Sequence, residues 1–189
     1  MYTTEAIVCG SFAHSTADKS FLLFTRNAGM LYASARSVRE ERSKQRYALQ
    51  DFSLITVSLI KGKTGWRIGS VDTLGNLFDT AVTRPARGSV VRTLKLLRRF
   101  LQGEDPHPAL YDEIVAGLQY IAGAEISNRT TAEEIIEARV LYELGYMSET
   151  TPLQPLLTNP LLTVLATASG TELISLQTAT ARAISASQL

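Results

Sequence analysis

A chain of 189 residues, 45% apolar and 20% charged, has the material for a core in one large domain or two small ones. No run approaches the roughly 18 to 20 uninterrupted apolar residues of a membrane span. The opening Met1-Tyr2-Thr3-Thr4-Glu5 lacks the basic start of a signal peptide, and the lone Cys9 excludes an internal disulfide or a cysteine-built zinc site, so a cytoplasmic, nucleoid-associated protein is expected.

The formal net charge of +1 conceals a segregation. Residues 1–99 carry 16 Lys/Arg against 7 Asp/Glu, a net of +9, whereas residues 100–189 carry 3 against 11, a net of −8. Such asymmetry suits two regions with different partners, the basic one matched to polyanions.

Five short β-rich runs come first. Residues 6–9, 20–25, 30–35, 54–60 and 66–71 are apolar or alternating, and turn-type sequences such as Arg26-Asn27-Ala28-Gly29 separate some of them. Lys61-Gly62-Lys63-Thr64-Gly65 resembles the end of a phosphate-binding loop, but Val57 stands where that pattern needs glycine, so it reads as a hairpin turn. Five strands in about 70 residues is the number in an OB-fold. Cys9, beside Ile7 and Val8, reads as a small buried residue.

Periodicity changes after Pro85. Val90, Leu94, Leu97 and Leu101 recur at helical spacing, with Gly103 and Pro106 marking the end. Residues 109–122 repeat the pattern through Leu110, Ile114, Leu118 and Ile121. A third helix is expected to be capped by Thr130 or Thr131, with Glu133 or Glu134 completing a capping box and Gly145 ending it. Pro152, Pro155 and Pro160 punctuate a loop, after which 161–169 and 171–187 are candidate helices. The fold class is therefore α+β: an N-terminal OB-fold β-barrel, residues 1–80, followed by an all-helical C-terminal domain, residues 81–189.

The chemistry suggested is binding. Arg36, Arg39, Arg42, Lys44 and Arg46 fall within eleven residues that hold two carboxylates, Glu40 and Glu41. In a barrel this is the connection after the third strand, placed to reach a ligand crossing the strand 2–3 face. Guanidinium and ammonium groups neutralise phosphates and release counterions. Phe12, Phe24, Tyr32, Tyr47 and Trp66 interleave with the cations and serve either base stacking or core packing. Lys61 and Lys63 on the hairpin join the candidate contacts, as do Arg84 and Arg87 of a second basic group that continues through Arg92, Lys95, Arg98 and Arg99. That group either extends the nucleic-acid path or faces the acids Glu133, Glu134, Glu137 and Glu143. His14 and His107 are too few for a catalytic triad or a metal site, so neither catalysis nor a cofactor is expected.

Thr4-Glu5-Ala6-Ile7-Val8, the run Leu22 to Leu31, Ala33-Ser34-Ala35-Arg36-Ser37-Val38-Arg39 and Ala48-Leu49-Gln50-Asp51-Phe52-Ser53-Leu54 together resemble the opening of RecO recombination mediators. Ala138-Arg139-Val140-Leu141-Tyr142-Glu143-Leu144-Gly145-Tyr146 is similar to a helix end in that family's C-terminal domain. The resemblance implies binding of single- and double-stranded DNA, strand annealing and recombinase loading. It gives Arg36, Arg39, Arg42, Lys44 and Arg46 the DNA-contacting role. It implies a RecR-type mediator protein and the acidic tail of single-strand-binding protein as partners, the tail better suited to the Arg92–Arg99 face than to an acidic helical half. Many members carry a four-cysteine zinc site; residues 147–170 here contain no cysteine, so no metal is expected. The alternatives from the residues alone are an OB-fold RNA-binding or ribosome-associated protein, and an adaptor whose barrel no longer binds DNA.

Overall fold

The computed structural model describes residues 1–13, 17–124, 126–148 and 152–187; His14 lies outside them. Five strands form a closed barrel: β1 (Tyr2–Ala13), β2 (Lys19–Thr25), β3 (Gly29–Ala35), β4 (Ser53–Gly62) and β5 (Gly65–Asn76). Their order around the barrel is β1-β2-β3-β5-β4, with β4 returning to β1. Four seams are antiparallel; the fifth, β3 to β5, is parallel and joins only Ala33 to Trp66 and Ser34 to Arg67. Alternation explains the closure. Ala6 and Val8, Phe21 and Leu23, Leu31 and Ala33, and Ile55, Val57 and Leu59 all share one buried cluster inside the barrel. Register shifts at Val8/Gly10 and Val57/Leu59 bend β1 and β4 around it. Lys63 and Thr64 make the turn between the paired Gly62 and Gly65, as the sequence suggested. Cys9 is 4% exposed.

Eight helices follow or interrupt the strands among the described residues: α1 (Gln45–Ala48), α2 (Leu77–Thr80), α3 (Arg84–Phe100), α4 (Pro108–Gly123), α5 (Ile126–Glu143), α6 (Gln154–Thr158), α7 (Leu161–Thr167) and α8 (Gly170–Ala186). The chain divides into two compact units, Met1–Thr80 with Gln102–Asp112, and Ala81–Leu101 with Glu113–Leu189. No described helix is long and apolar enough to cross a membrane.

In the second unit, Thr83 caps α3 by accepting from the Ala86 N–H, and Pro85 sits in the first turn where its missing donor costs nothing. Val90, Leu94 and Leu97 are buried as their spacing requires. The start of α5 differs from the sequence expectation. The helix begins at Ile126, so Thr130 and Thr131 lie inside it and not at its N-cap position. Packing overrides the weak helix propensity of Asn128-Arg129-Thr130-Thr131, because Arg129 is buried together with Ala132. The end of α5 matches its glycine: Gly145 takes φ +77°, Gly145 N–H donates to Tyr142 O, and Tyr146 N–H donates to Leu141 O.

Arg139, on α5, is 4% exposed and ties three segments together. Its guanidinium pairs with Glu113 of α4 and donates to Leu156 O in the middle of α6 and to Asn159 O just past its end. Each of its three nitrogens has an anionic or carbonyl acceptor, the kind of pairing under which a buried charge is tolerated. α6 occupies the proline-punctuated stretch read as loop, with Pro155 in its first turn, and α8 opens with a full capping box between Ser169 and Glu172.

Candidate nucleic-acid interface

The basic connection between β3 and β4 is pinned to the barrel. Ser37 N–H donates to Asp18 Oδ1 at 2.8 Å, Arg39 N–H donates to Ala17 O at 3.1 Å, and Val38 and Leu49 insert into the barrel core. The side chains between these anchors are consequently presented by an ordered scaffold. Arg36, Arg39, Arg42 and Lys44 are exposed, and Arg46, on α1, is half-buried with its guanidinium 5.0 Å from the Tyr47 ring centroid.

Two of these cations meet a third that sequence reasoning passed over. Lys19, at the start of β2, lines a pocket of ≈ 280 Å³ together with Arg39 and Arg46, over a floor of Phe21, Val38 and Leu49. None of the described residues lining it is a carboxylate. Three cations around one concavity with an apolar floor give it a positive potential that favours an anion. The signal in the sequence was available: in a five-stranded barrel the start of strand 2 lies beside the end of strand 3, as the Lys19–Ala35 pairing shows. Arg36, Arg42 and Lys44 do not line this pocket.

A groove of ≈ 610 Å³ runs along the outer side of β3 to the hairpin tip, lined among others by Ser20, Tyr32, Ser34, Thr64, Trp66 and Glu104. Tyr32 is 61% exposed and lies 6.0 Å, centroid to centroid, from Phe12, which is 41% exposed. With Tyr47, also exposed, they are the rings available for stacking. Phe24 is not: it is fully buried against Tyr111, 5.3 Å away. Burial, with the charges of Glu5 and Asp112, raises the Tyr111 hydroxyl well above its ordinary pKa.

Lys61 and Lys63 are exposed on the hairpin, but Lys61 already has two partners. Its ammonium is 3.2 Å from Glu104 and 4.9 Å from the centroid of the Trp66 ring. The Trp66 indole and the Lys61 ammonium hold the Glu104 carboxyl below the usual carboxylate range. Trp66 Nε1 is nevertheless sealed from solvent without a hydrogen bond of ordinary geometry, so its influence on Glu104 is that of an oriented dipole.

Arg84 and Arg87 belong to the second unit, on α3. Arg84 is exposed, whereas half-buried Arg87 donates through Nε to Ala81 O at 2.9 Å. The choice left open for Arg92 resolves toward the acidic helix. Its guanidinium grips Glu133 with contacts of 2.5 and 2.7 Å. Burial pushes the Glu133 carboxyl up, but the hydrogen bonds from Arg92 and Ser89 outweigh it and leave the group below its ordinary range. Neighbouring Glu137 goes the other way, raised by burial and then by the charges of Glu133 and Glu134. Among the described residues no three His, Cys, Asp or Glu side chains come together as a metal site.

A family model described as the N-terminal domain of recombination protein O matches residues 1–75. A relative from Dehalococcoides mccartyi named DNA repair protein RecO is 25% identical over 151 residues, which cover 78% of this chain and 58% of that protein. The chain thus spans little more than half the length of the curated relative it matches.

Proposed function

We propose that this chain is a RecO-type, non-enzymatic recombination mediator of DNA repair, whose barrel, the part matched by the family model, binds single- and double-stranded DNA and anneals complementary strands. The observation that carries the reading is the convergence of Lys19, Arg39 and Arg46 on one pocket beside the exposed Arg36, Arg42 and Lys44. Annealing follows from charge neutralisation. Phosphates held by fixed cations release their counterions, and two polyanions then approach without nucleotide hydrolysis. Lys63 at the hairpin tip extends the path on the barrel; in the second unit, taken by itself, Arg84 on α3 is a phosphate contact, and Arg87 a lesser one because its Nε is spent on Ala81 O.

The partners proposed are a RecR-type mediator protein and the tail of single-strand-binding protein, with recombinase loading as the outcome. The tail has less to bind on α3 than the sequence suggests, since Arg92 is taken up by Glu133.

The test measures strand annealing and fluorescence anisotropy with labelled DNA, comparing the full chain with Arg36→Ala/Arg39→Ala/Arg42→Ala. Annealing and affinity should both fall in the variant, and more steeply at low salt. An unchanged annealing rate removes the site assignment. A matched RNA strand that competes better than DNA would favour an RNA-binding role on the same fold.

A further inference from the structure

Backbone geometry places one acid in the outer groove of the barrel. Gly29 takes φ +67°, and a Cβ there would lie 2.3 Å from Asp105 O and 2.7 Å from Gly103 O, so only glycine lets the 103–105 turn press onto the start of β3. Met30 N–H donates to Gly103 O at 2.9 Å and fixes the turn. Gly103, at φ +87°, then directs the chain so that the Glu104 carboxylate lands between Lys61 and Trp66. Glu104 is the one charged residue among those described lining this groove; the rest are hydroxyls, aromatic rings, apolar side chains and backbone. A pinned anion is thus held by a hairpin cation in a groove whose exposed ring, Tyr32, suits stacking on a nucleobase.

We propose that Glu104 stands in for a nucleic-acid phosphate and is displaced from Lys61 when a single strand enters the groove; the inference rests on the DNA-binding reading above. A carboxylate oxygen and a phosphate oxygen make the same charge-assisted contact with an ammonium. When the strand binds, the Lys61–Glu104 pair is exchanged for a Lys61–phosphate pair, so this lysine adds little net affinity and no net salt dependence. Glu104 therefore sets a threshold. Weak or brief encounters fail to displace it, whereas a strand also anchored at the Lys19–Arg39–Arg46 pocket does so.

The test titrates the full chain with fluorescent oligodeoxythymidylate across a range of salt. Glu104→Gln keeps the shape of the side chain and frees Lys61. It should tighten binding about 2- to 5-fold at low salt, the range of one exposed ion pair. It should also steepen the plot of log affinity against log salt by about 0.7, the value for one additional phosphate contact on a single strand. Asp105→Asn removes the neighbouring charge, whose side chain is 80% exposed and faces His107, and controls for net charge alone. In a Lys61→Ala background, Glu104→Gln should do no more than Asp105→Asn. Equal effects of the two acid substitutions in the parent chain, or weaker binding by Glu104→Gln, overturn the proposal. If Arg36→Ala/Arg39→Ala/Arg42→Ala lowers affinity while Glu104→Gln matches its control, only the Glu104 proposal falls. If the unmodified chain binds no more tightly than millimolar, both fall.

Discussion

Convergent and dispersed cations should leave different salt signatures, and the barrel offers one set of each. Lys19, Arg39 and Arg46 surround a single pocket of ≈ 280 Å³ and so serve one phosphate between them. Arg36, Arg42 and Lys44 are exposed and line no common pocket with them, so each is placed for a phosphate of its own. On a single strand each neutralised phosphate contributes about 0.7 to the slope of log affinity against log salt. Replacing all three convergent residues with Ala should therefore reduce the slope by about 0.7, or about 5-fold in affinity for every tenfold drop in salt. Replacing all three dispersed residues should reduce it by about 2, or roughly 100-fold over the same interval. The convergent substitutions should also be non-additive, since the first loss already weakens the shared contact. Anisotropy titrations on a labelled single strand at several salt concentrations give both slopes. Equal slope losses for the two triple variants would refute the division into one shared site and three separate ones.

Three further outcomes concern stability. Glu137→Gln should stabilise the chain by about 0.5 kcal/mol at neutral pH, a modest gain because the side chain remains partly solvated. Since folding raises this carboxyl from its ordinary 4.5, the penalty removed is full at neutral pH and fades as pH falls toward 4.5; urea melts at several pH values would show a gap that stays constant if the reasoning is wrong. Arg139→Ala leaves Glu113 and two carbonyls without their donor, and should cost about 3–5 kcal/mol in urea denaturation. Gly29→Ala forces a Cβ into both a left-handed φ and backbone contact, and a loss of at least ~2 kcal/mol is expected by the same measurement.

The barrel was legible in the sequence because its strands obey period two and its turns carry glycine, so five runs map onto five strands. The helices α3 and α4 were legible through apolar spacing. Less visible were features decided by tertiary contact. Thr130 and Thr131 carry a capping signature, yet burial of Arg129 carries the helix upstream past them. Ser169-x-x-Glu172 is a genuine capping box that a Thr/Ser/Ala-rich tail obscured. For the site, the cationic run was plain, but Lys19 joins it only through strand pairing, and Arg92 is withdrawn from it only by the Glu133 contact. Glu104 carried no motif at all; its place depends on a glycine 75 residues earlier in the chain.

The sparse seam between β3 and β5 has a further consequence. With only Ala33 and Ser34 paired across it, the first half of β3 would present bare main-chain groups to any extended peptide nearby. The Gly103 carbonyl occupies the Met30 N–H on that side, and the 103–105 turn lies over the gap. The three residues of that turn thereby act as a weather strip on a sparsely paired seam, occupying main-chain groups that an open edge would offer to another strand.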